Sequence, residues 1–308
     1  MRILITGGAG FIGSNFVQYI NKKYPDTFIC IYDKLTYAGN LENIKSLLEK
    51  PNVVFEREDI CDKISFSKAL KTHKIDTIVH FAAESHVDRS IKDPDAFIKT
   101  NILGTYTILE CLRENPEIRF HHVSTDEVFG ALPLDEPEIK FSETTPYDPK
   151  SPYSASKASA DHLVRAYIHT YGIKGTISNC SNNYGPYCHI EKLIPLAITR
   201  AISNESIPVY GSGMQIRDWI YVEDHCHGID LILEKGKIGE TYLFGGNGEK
   251  PNIWIIKEIL KALGKPESLI TYVEDRKGHD LRYAVDYSKA KKEPVSYTHL
   301  TLPTKRIV

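Results

Sequence analysis

The chain has 308 residues, 42% hydrophobic and 25% charged, with 38 Lys and Arg against 40 Asp and Glu for a net charge of −2. That length suits one large α/β domain or two smaller ones with a true core, and with no long basic run or basic face it argues against a nucleic-acid polyelectrolyte role. No apolar run approaches the roughly 20 residues that span a bilayer, so small molecules are the expected partners and no membrane is. The six cysteines, Cys30, Cys61, Cys111, Cys180, Cys188 and Cys226, are scattered without a Cys-x-x-Cys pair and read as reduced thiols. The opening MRILITGG enters a strand directly, without a signal-peptide pattern, which makes the cytoplasm the expected compartment.

In chain order, RILIT is a short apolar run. FIGSNFVQYINKK then places Phe11, Ile12, Phe16, Val17 and Ile20 near helical spacing, and FICIYD returns to a buried-strand pattern. The alternation repeats through NVVFERED, KISFSKALKTH, DTIVHFAA, a long helix from about Pro94 to Arg113, and RFHHVST. Strands and helices that alternate in this way predict an α/β doubly wound parallel sheet, the Rossmann arrangement, with ligands gathered at the carboxyl ends of the strands.

Between the first strand and helix lie Gly7, Gly10 and Gly13. Such glycines let the backbone turn sharply, let a pyrophosphate approach main-chain N–H groups, and let the helix pack close to the strand. The spacing alone is a weak signal, but here Asp33 ends the next strand 20 residues after Gly13. There a carboxylate takes the ribose hydroxyls of an adenosine and repels a 2′-phosphate, which favours NAD over NADP, although Lys34 beside it carries the opposite charge. Phe11 and Ile12 in the turn belong to the same expected cofactor site. Asp59 and Ile60 are candidates to border the adenine, and Ala82 and Ala83 are small enough for a cofactor to lie against the backbone.

The second constellation is YSASK, at the start of a helix expected to run to about Tyr171. Tyr153 and Lys157 share one helical face, so the ammonium can hold the cofactor ribose and lower the phenol's pKa, making the phenol a base for alcohol oxidation. The same spacing at Tyr19/Lys23 and Tyr287/Lys291 reads as surface helix or chance. Tyr153 is distinguished by the strand upstream of it, whose end carries Ser124 and Thr125. The His-Cys-His run at 225–227 does not predict a metal site, because neighbouring helical residues point in different directions.

These motifs together resemble the extended short-chain dehydrogenase/reductase superfamily, and within it the dTDP-glucose 4,6-dehydratase family. The resemblance is carried by TGGAGFIGSNF, DKLTYAGN, HFAAESHVDRSI, STDEVFG, YSASKASADHLVRAY, SNNYGPY, KLIPLAI, VYGSGMQIRDWIYVEDH and DRKGHDLRYAVD, from Ile3 to about Asp286. It implies NAD as cofactor and dTDP-glucose as substrate. Removing water across C5 and C6 of a hexose needs a base for the C5 proton and an acid for the C6 hydroxyl, once oxidation at C4 has acidified C5. By resemblance Tyr153 takes the C4 hydroxyl proton, Glu127 the C5 proton, and Asp126 protonates the departing hydroxyl, with Thr125 and Lys157 completing the catalytic set. The nucleotide sugar falls by resemblance to His86, Asn182, Lys192, Leu193, Tyr210, Arg217, Arg276 and His279. The two arginines suit a diphosphate because a planar guanidinium matches two oxygens at once.

The expected division is a Rossmann domain over 1–180, to which later segments return, and a smaller α/β substrate-binding domain mainly over 181–293. Residues 294–308, PVSYTHLTLPTKRIV, match no family pattern and read like vector-encoded or frameshifted sequence in place of natural C-terminal helices. A homodimer is expected by resemblance, through a four-helix interface of the helices near 94–113 and 153–171, with Ala155, Ala158 and Ala160 permitting close approach. The alternatives are a UDP-sugar 4-epimerase, which does not need the Asp-Glu pair, a UDP-sugar 4,6-dehydratase, and a sensor or scaffold that keeps NAD without turnover.

Overall fold

The computed structural model describes residues 1–293; the tail singled out at 294–308 lies outside the described residues. Its centre is a seven-stranded sheet in the order β11-β6-β5-β4-β1-β2-β3, every neighbouring pair parallel. The strands are β1 (Arg2–Thr6), β2 (Phe28–Tyr32), β3 (Val53–Glu56), β4 (Thr77–His80), β5 (Arg119–Thr125), β6 (Lys174–Cys180) and, much later in the chain, β11 (Thr241–Phe244). They are short and almost continuously apolar because both faces are covered. On one face α2 (Lys63–Thr72), α5 (Thr105–Glu114) and α6 (Pro152–Tyr171) bury Phe66, Leu70, Ile108, Leu112 and Val164; on the other α1 (Phe11–Lys23) and α8 (Val222–Lys235) bury Phe16, Val17, Ile20, Val222 and Ile229.

The region between β4 and β5 carries α3 (Val87–Lys92), α4 (Asp95–Phe97) and then a π-helical stretch, Ile98–Gly104, that leads into α5. Asn101 sits in that stretch. Its amide accepts from Glu84 N at 2.9 Å and donates to Glu84 O at 3.0 Å and Ser156 Oγ at 2.8 Å, which ties the loop after β4 to α6. The start of α6 is fixed by a reciprocal cap between Ser151 and Ser154 with Pro152 in the first turn, and Gly172 ends the helix in the left-handed conformation at φ 68°.

After β6 the chain forms small sheets and helices beyond the carboxyl end of the main sheet. Strand β7 (Asn182–Tyr184) pairs with β10 (Trp219–Tyr221), β8 (Ile207–Tyr210) with β13 (Ile270–Val273), and β9 (Ile216–Arg217) with β12 (Lys250–Pro251). Helices α7 (Leu193–Ile202) and α9 (Asn252–Ala262) close over β8 and β10 around a separate core containing Ala197, Val209, Trp219, Ile256 and Leu260. The short α10 (Ser288–Lys292) rests on β11 through Ala290.

Two sequence expectations change here. Ala158 and Ala160 are buried within the chain and only Ala155 is exposed, so two of the three alanines serve the monomer's own packing. Tyr19 and Lys23 are more than a surface coincidence: both reach Asp230 on α8, Lys23 as an ion pair, and so join α1 to α8. In the 225–227 run, His225 Nδ1 meets Asn183 Oδ1 at 3.0 Å while His227 turns to Tyr19.

Among the described residues four histidines, His80, His121, His122 and His225, are buried, and burial pulls His122 down to about 4 and His225 to about 3. An imidazole held below its unfolded value of 6.5 stabilises the fold above that pH, and the contribution drains away as pH falls from 6.5 toward the folded value. For His122 this amounts to about 3 kcal/mol. Asp218, which burial raises to about 6, acts in the opposite sense and gains stability as it protonates. The difference between wild type and His122→Gln therefore removes the Asp218 contribution and reads the imidazole together with its buried partner Asp161. Stability of the variant should fall less steeply between pH 6.5 and 4, as read by thermal melting; parallel curves would contradict the assignment.

Candidate active site

The glycine loop closes on itself before α1 begins. Gly10 N donates to Gly7 O at 3.0 Å and Gly7 N to Tyr32 O at 2.9 Å. A Cβ on Gly13 would stand 2.2 Å from Gly7 O, so only glycine lets the helix rest this close to the turn. Helix α1 has neither a capping side chain nor an acidic residue in its first turn, which leaves its N–H groups and partial positive charge available to an anion. Gly13→Ala should therefore strip the purified protein of bound dinucleotide, lowering the NAD-to-protein ratio at least tenfold by absorbance; an unchanged ratio would remove the loop from the binding site.

Asp33 directly follows β2 beside the loop, its Oδ2 accepting from Ala9 N at 2.9 Å and its Oδ1 from Leu35 N at 2.8 Å. Burial raises its pKa while the two backbone donors work against the rise. Lys34 does not compete for the same ligand face with a free charge: its ammonium is 2.6 Å from Asp59 Oδ2.

The chemistry-bearing residues gather where β5 ends. Thr125 caps a short 3-10 turn, Asp126–Phe129, and its Oγ1 accepts from Glu127 N at 3.3 Å. Asp126 is buried, its Oδ2 has no hydrogen-bond partner among the described residues, and burial followed by the charges of Glu127 and Asp218 raises its pKa well above the ordinary carboxylate value. Glu127 is raised too, chiefly by burial, but Arg217, Lys192 and Arg276 pull it back. Neighbouring carboxyl groups pushed apart in this way divide into a proton-holding acid and a base.

Tyr153 is buried against Phe97, with ring centroids 6.2 Å apart, one turn before Lys157 on α6. Burial and the Glu127 charge raise the phenol well above 10, while a hydrogen bond with Thr125 lowers it. The Lys157 ammonium is also buried, which depresses its pKa, and it donates to Val123 O at 2.8 Å. The expectation that Lys157 lowers the phenol is thus not met by the chain's own groups: desolvation outweighs every other influence on Tyr153.

All the expected cofactor residues, Gly7, Gly10, Phe11, Ile12, Gly13, Asp33, Lys34, Asp59, Ile60, Ala82 and Ala83, line one cleft of about 330 Å³. Thr125, Asp126, Glu127, Tyr153 and Lys157 line the same cleft, as do Asn182, Lys192 and Leu193. Five others stand apart from that lining. Arg276 faces Asp88, with Nε at 3.2 Å and Nη2 at 3.3 Å, and lies 4.6 Å over the Tyr210 ring, which His279 meets edge-on. Arg217 is buried over Tyr283 and donates to the carbonyls of Ile216 and Asp280. His86 caps α3 and approaches Glu191 at 3.7 Å.

Comparison with known proteins now decides the family. The profile of the GDP-mannose 4,6 dehydratase family matches residues 4–294. The dTDP-glucose 4,6-dehydratase of Salmonella typhimurium is 50% identical over 315 residues, covering 95% of this chain and 87% of that protein. The chain belongs to the dTDP-glucose 4,6-dehydratase family. Two solved members of the family share its fold: the dTDP-glucose 4,6-dehydratase of Bacillus anthracis in complex with NAD, at 46% identity and a TM-score of 0.88, and that of Streptomyces venezuelae with NAD and dTDP bound, at 45% identity and 0.91. Each comparison covers 95% of this chain and 90% of the other.

Beside the expected catalytic and cofactor residues stand several that the sequence alone did not single out. Asp88 holds Arg276 and Tyr210, the latter through a 3.2 Å hydrogen bond. Beneath Lys157, Asp161 is fully buried and accepts from Tyr147 at 2.7 Å and Asn179 at 3.1 Å, with His122 Nε2 at 3.1 Å. Asp161 follows Lys157 by one helical turn, a spacing visible in the sequence, but its partners come from three other segments.

Proposed function

We infer that the protein is an NAD-dependent lyase that converts dTDP-glucose to dTDP-4-keto-6-deoxyglucose. The observation that carries this reading is the Asp126–Glu127 pair at the end of β5, in the same cleft as Tyr153 and Lys157. The glycine loop, the open start of α1 and Asp33 fit the pyrophosphate and adenosine ribose of NAD, with the Lys34–Asp59 pair and Ile60 at the adenine side. When bound, NAD would supply the acceptor for the C4 hydride and, once reduced, the donor that returns it to C6.

The protein's own groups handle the protons. Tyr153 accepts the C4 hydroxyl proton, with Thr125 orienting the phenol. Glu127 takes the C5 proton and returns it to C5 as the hydride reaches C6, and Asp126, kept protonated by burial, delivers one to the departing C6 hydroxyl, a loss balanced by the proton Tyr153 took from the C4 hydroxyl. Lys157 is assigned to the cofactor ribose. His86, Asn182, Lys192, Leu193, Tyr210, Arg217, Arg276 and His279 are assigned to the nucleotide sugar, with the two arginines on its diphosphate; Arg276 would then exchange Asp88 for phosphate oxygens.

Residues 1–180 together with β11 are assigned to the cofactor, and the region 181–293 mainly to the nucleotide sugar; its separate core around α7 and α9 supports that division. A homodimer through the helices of 95–114 and 152–171 is supported by exposed apolar side chains there, Ile98, Leu103, Tyr106 and Tyr171. Cytoplasmic placement is supported by six unpaired cysteines, and no helix among the described residues is long and apolar enough to cross a membrane.

Incubation with dTDP-glucose and no added reductant tests the reading. Mass spectrometry should show loss of one water and NMR a C6 methyl group. A 4-epimer as the sole product, or conversion of UDP-sugars alone, would move the protein to the epimerase or UDP-sugar dehydratase reading. Bound NAD with no turnover of any sugar nucleotide would favour the sensor.

A further inference from the structure

Two loops that wall the cleft are joined outside it by one arginine. The loop after β2 contributes Thr36, Ala38 and Gly39 to the wall, and the loop between β7 and α7 contributes His189, Glu191 and Lys192. Arg89, on α3, stands outside that lining. Its guanidinium lies 3.8 Å from the centroid of the Tyr37 ring and its Nε is 3.5 Å from Glu191 Oε2. Tyr37 also meets His189 edge-on, at 5.6 Å and 83°. A planar guanidinium stacks and pairs at the same time, which an ammonium cannot do.

The burial is uneven along this chain of contacts. The Arg89 side chain is 52% exposed and that of Glu191 only 16%, and Glu191 is further approached by His86 and His189 at 3.7 and 3.6 Å. A second tie joins the same loop of the smaller region to the loop after β4, from Lys192 Nζ to Ser85 O at 3.0 Å. An isolated surface ion pair contributes little. Here the Arg89 side chain bridges a loop on the sheet's cofactor side and a loop of the smaller region, beside the direct Tyr37–His189 contact, and both loops line the cleft assigned to NAD.

We propose that Arg89 is the pin of a latch, closed on Tyr37 and Glu191, that sets how long NAD stays in the cleft. The inference rests on the reading under Proposed function, in which one and the same cofactor must keep the hydride between C4 oxidation and C6 reduction. Arg89 is a positioning residue on this account. It acts through the walls and touches neither the cofactor nor the sugar.

The test times release of NAD from the purified holoprotein, with added alcohol dehydrogenase and ethanol turning each freed NAD into fluorescent NADH. Arg89→Ala should release NAD about tenfold faster than wild type, equivalent to about 1.4 kcal/mol. Arg89→Lys should fall between the two, because it keeps the charge and loses the flat stacking face. Adding Glu191→Gln to Arg89→Ala should accelerate release by less than Glu191→Gln does alone, since the Arg89 tie is already broken. Melting temperatures should stay near the wild-type value, because the pin is half-exposed. Release at the wild-type rate in Arg89→Ala, or fully additive effects of the two substitutions, overturns the latch. No sugar nucleotide enters this assay, so failure of the latch leaves the proposed reaction standing, and failure of wild type to convert dTDP-glucose would be seen separately.

Discussion

Tyr153→Phe lowers turnover of dTDP-glucose by about a thousandfold or more while leaving the fold and NAD content intact. The expected size follows from what a positioned general base contributes, about a hundredfold to ten-thousandfold. The phenylalanine ring fills the same buried space against Phe97, so thermal stability should barely change. Lys157 keeps its bond to Val123 O and its place in the cleft. No reduced nicotinamide should build up in a single turnover, because the block precedes hydride transfer. Turnover within tenfold of wild type would show that another group takes the C4 hydroxyl proton.

The second large effect comes from Glu127→Gln, which should spare C4 oxidation and block elimination. Glutamine preserves shape but is not a base, so the C5 proton stays in place. Mixing the variant with substrate should produce the near-ultraviolet absorbance of reduced nicotinamide without loss of water, and steady turnover should fall about a hundredfold or more. The substitution also has a pH signature with a fixed sign. The Glu127 charge raises the Tyr153 phenol, so its removal lowers that pKa and extends C4 oxidation to lower pH. Near-normal dehydratase turnover in Glu127→Gln would remove Glu127 from its assigned role.

Much of the site was legible because it is local in sequence. Gly7 to Gly13 encode a turn whose requirements are met within seven residues, Asp33 follows at the end of the next strand, and Tyr153 and Lys157 are one helical turn apart. The sheet was legible for a related reason: strands buried on both faces are short apolar runs, and helices between them show their own period. What the sequence hid is contact between distant segments. Asp88 meets Arg276 across 188 residues, and Arg89 meets Glu191 across another loop pair, although both lie in a stretch, HVDRSI, that the resemblance had already marked. Charge and spacing revealed neither partner.

Energetics were hidden in the same way. The Tyr-Lys spacing suggested a lowered phenol, but burial of both side chains and the nearby Glu127 reverse the expected direction in the chain alone. Ala158 and Ala160 looked like interface residues because small side chains permit close approach; which face of α6 they occupy is set by the packing of α6 on the sheet. Strand β11 could not be assigned to the main sheet from its own four residues, since its place beside β6 is decided by the path of everything between them.

The most direct test of the central claim is the fate of the hydrogen at C4 of the sugar. dTDP-glucose carrying deuterium at C4 should yield a 4-keto-6-deoxy product with that deuterium in the C6 methyl group, because the proposed site holds one cofactor through oxidation, elimination and reduction. Product whose methyl group carries no deuterium from C4, formed at the normal rate, would contradict hydride return within a single closed site.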